Sequence, residues 1–162
     1  ETNNKREETW KAMEEIYRSG KAKAIGVSNY TISHLEEMKK YATILPAVNQ
    51  VEFHPYLFQK ELLNYCKENK IILEAYRPLT NGKRIDSEVI SSIAKKYNKT
   101  NAQILIRWSI QNGCIPLQKS VHKERIEENI NVFDFELTEY EMSAINSLNE
   151  DSRLSPHPTN LK

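Results

Sequence analysis

The residues able to do chemistry in this sequence are amides, one aromatic ring and a few cations, set at intervals along the chain. Ser28-Asn29-Tyr30 offers an amide beside a hydroxyl, and Asn49-Gln50 offers two more amides. Tyr76-Arg77-Pro78-Leu79 carries a flat ring followed by a cation, and Lys119-Ser120-Val121 with Arg125 adds two positive charges. An amide side chain presents donor and acceptor together and so suits another amide. A tyrosine ring stacks on a second ring. Lysine and arginine bind phosphate, arginine in a two-pronged fork. A helix opening near His122 would add backbone N–H groups and the positive end of its dipole. Amide binder, stacking ring and phosphate clamp together describe a site for a nicotinamide dinucleotide phosphate. The plainer alternative is that Asn29 and Gln50 satisfy loop backbone while Lys119 and Arg125 are solvated charges. No G-x-G-x-x-G motif occurs, which argues against a Rossmann domain.

Other chemistries find less support. His34, His54, His122 and His157 are scattered without the tight ligand spacing of a metal centre, so no metal is expected. His54 belongs to a His-Pro-Tyr turn. Glu52 and Glu74 resemble an acid–base pair, but strand carboxylates more often have structural partners. Trp10 and Trp108 sit on apolar helical faces and read as core. Lys123, Glu124 and Glu127 read as a solvated helix face. With 23 basic and 22 acidic residues the net charge is +1, and no global field points to nucleic acid or a membrane surface. The two cysteines, Cys66 and Cys114, lie in apolar settings and are expected to be buried free thiols in a cytoplasmic protein. No signal peptide or membrane-spanning run is seen.

The elements that must hold these residues alternate. The pattern predicts a helix over Arg6–Ser19 with Trp10, Met13, Ile16 and Tyr17 on one face, stopped by Gly20, then a strand at Ala22–Val27. A capping box at Ser33–Glu36 opens a helix running through Tyr41. A strand at Ala47–Phe53, a helix at Lys60–Asn69 with Leu62, Leu63 and Cys66 inward, and a strand at Ile71–Tyr76 follow. Asn81-Gly82 is a turn signal. Helices are predicted at Ser87–Tyr97 and, from a capping box at Thr100, up to Asn112. A strand at Cys114–Leu117, a helix near Lys123–Ile130 and a helix capped by Thr138 through Leu148 complete the pattern. The tail at Pro156-His157-Pro158 is expected to be irregular. Alternating strands and helices imply an α/β fold with a parallel sheet, curled as a barrel wall if the crossovers place all helices on one side. Ligands then bind at the C-terminal ends of the strands, where the residues above fall.

Several segments, in order, resemble the aldo-keto reductase family. Gly20 to Tyr30 (GKAKAIGVSNY) is similar to the signature around the family's fifth barrel strand. Val48 to Leu57 (VNQVEFHPYL) resembles the sixth, Ala75 to Leu79 (AYRPL) the seventh, and Pro116 to Val121 through Arg125, Glu128 and Asn129 the eighth strand with its phosphate loop. Asn131 to Leu137 (NVFDFEL) is also family-like. The resemblance covers nearly the whole chain and implies the C-terminal half of a TIM-type (β/α)8 barrel that binds NADP(H). It implies that Ser28, Asn29 and Gln50 hold the nicotinamide carboxamide and that Tyr76 stacks on the ring. Lys119, Ser120 and Arg125 would grip the adenosine 2′-phosphate, Val121 would hold that segment, and Glu128 and Asn129 would contact the adenine. Arg77 stands where many members have serine, and would either contact the pyrophosphate or point into solvent. Leu79 closes the same motif. Leu117-Gln118 stands where many members have Ile-Pro.

The resemblance implies reduction of small aldehydes or ketones, keto-sugars among them, to alcohols. The family's catalytic tyrosine, aspartate, lysine and histidine come from the first four strands, a region expected to precede Glu1. No catalytic residue is therefore expected here, and the chain alone is expected to be inactive. Four strands of a barrel leave edges and an inner face uncovered. The chain should need an N-terminal half barrel, or self-association, to cover them. The competing expectation is a non-catalytic nucleotide-binding or self-assembling half-barrel module.

Overall fold

The computed structural model describes residues 2–160, with side chains described for residues 5–159. In chain order the elements are α1 (Thr2–Arg18), β1 (Gly26–Ser28), α2 (Ile32–Met38), β2 (Val48–Glu52), α3 (Lys60–Glu68) and β3 (Ile72–Tyr76). A 3-10 turn (Thr80–Gly82) precedes α4 (Glu88–Tyr97) and α5 (Asn101–Gln111). They are followed by β4 (Ile115–Leu117), α6 (Lys123–Ile130), α7 (Glu139–Asn146) and a last 3-10 turn (Pro158–Asn160). The four strands are parallel and alternate with helices, in the order β1-β2-β3-β4. The α/β reading of the sequence is thereby met.

The chain divides into two compact units. The first takes in residues up to Val51, then Lys60–Leu73, and the segment from Pro156. In it β1 pairs with β2 in the register Gly26↔Val48 and Ser28↔Gln50, and the Ile72 N–H joins by donating to Ala47 O. Trp10, Ile25 and Met38 form one core cluster in it, with Met13, Val27, Tyr30 and Ile44 packed around them. Gly26 has no room for a side chain, because a Cβ there would lie 2.3 Å from Val48 Cγ2 and 2.8 Å from the Val48 carbonyl oxygen.

The second unit comprises Glu52–Gln59 and Glu74–Ser155. In it β3 pairs with β4 in the register Glu74↔Ile115 and Tyr76↔Leu117, and the Phe53 N–H donates to Tyr76 O. Phe53 stacks on Trp108 at 5.2 Å, Phe58 meets Trp108 edge-on, and the indole N–H of Trp108 donates to Asn146. Capping boxes at Thr100 with Gln103 and at Thr138 with Glu141 start α5 and α7 where the sequence places them. On the open side of β4, Ile115 and Leu117 are 45% and 41% exposed.

Three local expectations need correction. The first strand is Gly26–Ser28, not Ala22–Val27, because Lys21, Lys23 and Ala24 remain exposed and pairing begins only where Gly26 meets Val48. The second helix is capped by Thr31, not Ser33, and ends at Met38. The Thr31 hydroxyl accepts from the His34 N–H while His34 Nδ1 accepts from the Thr31 N–H. In α1, which begins at Thr2, Ile16 and Tyr17 are exposed and Glu14 is buried in their place. Glu14 accepts the N–H groups of Thr43 and Ile44 at 2.7 and 2.8 Å, so the loop before β2 needs a carboxylate on that face.

Candidate functional site

In the first unit the predicted amides stand at the C-terminal ends of β1 and β2. Strand alternation turns Asn49 and Gln50 to opposite sides. Asn49 is fully buried and structural: its amide donates to Tyr30 O at 2.8 Å and its oxygen accepts from the Tyr30 N–H. Gln50 faces the other way and is only partly buried. Ser28 lies beside it in register and donates its hydroxyl to Gln50 O at 3.0 Å. Asn29 is held in the left-handed region at φ 58°, its N–H donating to Gln50 O and its amide to the Ser28 hydroxyl. Asn tolerates that conformation better than most residues. Ser28, Asn29 and Gln50 thus form one polar group.

In the second unit Tyr76 ends β3, half-buried, and the backbone then turns sharply. Arg77 has φ 55°, and Thr80, Asn81 and Gly82 are also left-handed. Such non-glycine residues are costly and persist where surrounding structure holds them. This turn forms one wall of a cavity of about 900 Å³. Arg77 and Leu79 line that wall, and Lys119, Ser120, Arg125, Glu128 and Asn129 line others. Seven of the residues singled out in the sequence therefore share one cavity. Val121 is 81% exposed and does not line it.

The electrostatics of the cavity favour an anion. Lys119 and Arg125 make no ion pair among the described residues. α6 begins at Lys123, and its N-cap, His122, makes no side-chain capping bond, so first-turn N–H groups remain open. The Ser120 hydroxyl accepts from the His122 N–H at 3.2 Å and shapes this turn. The two carboxylates on the walls are already engaged: Glu128 accepts from the Thr100 hydroxyl at 2.7 Å and Asp86 from the Asn101 amide at 3.0 Å. Unpaired cations with an uncapped helix start fit the phosphate of a nucleotide.

Sequence reasoning missed part of this wall. Thr100 and Asn101 begin α5 and border the same cavity, as does Gln118, whose buried Oε1 has no hydrogen-bond partner. The departure at Gln118 from the usual proline was the available signal.

Glu52 and His54 form a separate buried pair. Both are essentially inaccessible, and His54 Nε2 lies 3.0 Å from Glu52 Oε1. Burial would raise the Glu52 pKa, but the Leu154 N–H, His54 and Ser155 together hold it below the usual carboxylate range. Burial lowers the pKa of His54 against the pull of Glu52. A neutral imidazole donating to a carboxylate fits both directions, and Glu52 is the structural carboxylate expected of it. Cys66 and Cys114 are buried free thiols, and burial raises Cys66 to about 11, which makes it a poor nucleophile. No helix of the described residues is long and apolar enough to cross a membrane.

Known proteins resemble this chain over nearly its whole length. Residues 1–150 match the model of the aldo/keto reductase family. Glyoxal reductase of Bacillus subtilis (strain 168) is 50% identical over 158 residues, which is 98% of this chain and 57% of that protein. The crystal structure of Gox0644 in its apo form superposes with a TM-score of 0.95 at 40% identity, covering 99% of this chain and 60% of that one. A mutant of Gox0644 in complex with NADPH gives a TM-score of 0.92 at 41% identity, covering 96% of this chain and 58% of that one. The chain spans little more than half the length of these relatives.

Proposed function

The chain belongs to the aldo/keto reductase family, and on that premise we propose that it is the C-terminal half, strands five to eight, of an NADPH-dependent carbonyl reductase. The observation that carries this reading is the cavity of the second unit, where Lys119, Ser120 and Arg125 stand with Glu128 and Asn129 beside an uncapped helix start. Lys119, Ser120 and Arg125 hold the 2′-phosphate, and Glu128 and Asn129 contact the adenine. Val121 serves the backbone of that segment. Ser28, Asn29 and Gln50 hold the nicotinamide carboxamide, and Tyr76 stacks on the ring. Bound NADPH supplies the hydride that reduces an aldehyde or ketone to an alcohol. The grip on a 2′-phosphate favours NADPH over NADH, since two unpaired cations gain little from a bare ribose.

The substrate class is small carbonyl compounds, with glyoxal the first to try because a relative is named for it. In this proposal the family's proton-donating tyrosine and its aspartate, lysine and histidine partners belong to strands one to four, and this half supplies the cofactor site. The buried thiols suit a cytoplasmic setting. NADPH and NADH titrations, followed by turnover of glyoxal, test the reading. NADPH should bind at least about tenfold tighter than NADH, with no turnover by this chain alone. Equal affinity would remove the 2′-phosphate role, and substantial turnover would refute the placement of the acid.

A second reading is favoured by the exposed Ile115 and Leu117 on β4. A half barrel needs a second half, from an N-terminal segment or another copy, to cover such a face. A discrete dimer that binds NADPH without turnover would favour a self-assembling binding module.

A further inference from the structure

The second unit contains a strap that ends beside Arg77, a residue of the cavity wall. Residues 149–155 run along residues 52–59 and are bound to them repeatedly. The N–H groups of Glu150 and Ser152 donate to Tyr56 O, the Phe58 N–H donates to Asn149 Oδ1 at 2.9 Å, and Arg153 donates to Gln59 Oε1 at 3.1 Å. The last two bonds are of another kind. The N–H groups of Leu154 and Ser155 donate to the two oxygens of Glu52, at 2.6 and 2.9 Å. A fully buried carboxylate is costly unless its acceptor capacity is filled, and here two N–H groups and the His54 imidazole fill it. An apolar residue would fill that space with less desolvation, so a carboxylate there specifies where two backbone N–H groups must sit.

What the strap holds is Arg77. The Ser155 hydroxyl accepts from Arg77 Nη1 at 2.7 Å, and Arg77 lines the cavity with Lys119 and Arg125. Its left-handed backbone fixes where the side chain starts, and Ser155 fixes one prong of where it ends. A guanidinium has five N–H donors, so the others remain available to an anion in the cavity.

We propose that Glu52 and Ser155 are positioning residues for the cofactor: the Glu52-anchored strap sets the Arg77 guanidinium on the cavity wall, where it meets an anionic group of the dinucleotide other than the 2′-phosphate. The strap thereby tunes dinucleotide affinity without touching the ligand. This rests on the NADPH reading above, and it joins the tail to the binding site through one arginine.

The test is a mutant cycle on NADPH binding with wild type, Ser155→Ala, Arg77→Ala and the double variant, and with 2′-AMP as a second probe. Ser155→Ala should weaken NADPH by about threefold to tenfold, the worth of one hydrogen bond. Arg77→Ala should weaken it further, and the double variant should be no worse than Arg77→Ala alone. Binding of 2′-AMP, which carries the 2′-phosphate without the pyrophosphate, should be unchanged in all. Glu52→Gln should reproduce the Ser155→Ala loss, and if that variant does not fold, the Ser155 cycle stands without it. Additive losses in the double variant, an equal loss of 2′-AMP, or unaltered NADPH affinity in Arg77→Ala would each overturn the inference. Wild-type protein that binds neither probe would overturn the cofactor reading itself, an outcome distinct from the others, and the inference with it.

Discussion

The Thr100 hydroxyl accepts the Gln103 N–H at 3.3 Å and donates to Glu128 Oε1 at 2.7 Å, so one side chain both caps α5 and holds α6. Because both helices border the cavity, the cap of one helix is also a support of the site. Thr100→Ala should cost about 1 kcal/mol of stability, the usual worth of an N-cap. It should also weaken NADPH by a few-fold through the freed Glu128, while Thr100→Ser should keep both properties. Urea melts and NADPH titration on the same preparations check the two effects together.

Lys119 and Arg125 should separate the two nicotinamide cofactors. Either alanine substitution should weaken NADPH by about tenfold or more, on the scale of a hydrogen bond to a charged group, and leave NADH nearly unchanged. The NADPH loss should shrink at high salt, where the wild-type attraction is already screened. Parallel titrations at two ionic strengths measure this, and equal losses for both cofactors would contradict the assignment.

Gly26→Ala should destabilise the first unit. The added Cβ meets backbone as well as the Val48 side chain, and the parallel pair is held in register there. The cost should be about 1–3 kcal/mol, as for overpacking in a close-packed interior. A lowered urea midpoint with unchanged slope would show that stability alone has changed.

Two buried carboxylates set an acid limit. Burial would raise Glu14, but the Ile44 N–H, the Thr43 hydroxyl and N–H, and Arg18 outweigh it and bring it to about 2. Burial would likewise raise Glu141, but Lys96, the Thr138 N–H, Tyr97 and the Thr138 hydroxyl bring it to about 2. A depressed folded-state pKa gives stability that is complete above the ordinary value of 4.5 and lost as pH falls toward 2. Unfolding midpoints measured from about pH 6 to about pH 2 should hold down to about pH 4.5 and fall steeply below it. Glu14→Gln should be less stable at neutral pH and show a shallower fall.

Three of the four strands, most helices and much of the cavity wall are legible in the sequence, because each has a local signature. Thr100 with Gln103 and Thr138 with Glu141 are capping boxes spelled out within four residues, and Ile72–Tyr76 is a compact, largely apolar run. The misses depended on partners far along the chain. Glu14 looks like a surface residue until the loop at Thr43 and Ile44 is folded over it. Ile16 and Tyr17 continue the apolar spacing of Trp10, yet α1 turns them outward. Thr100 reads as a cap, and its second bond to Glu128 cannot be anticipated from either residue's neighbours. Arg77 stands out in the sequence, but its partner Ser155 lies 78 residues away with no motif to connect them.

The Glu52 carboxylate and its Leu154 donor are 102 residues apart. Closing a loop that long costs chain entropy that only already-ordered surroundings can repay. Until Leu154 and Ser155 are in place, two of the three donors that satisfy this buried carboxylate are missing and only His54 is near it in sequence. The strap can seat on Glu52 only once Leu154 and Ser155 have been made, so the burial of this carboxylate depends on both ends of the second unit.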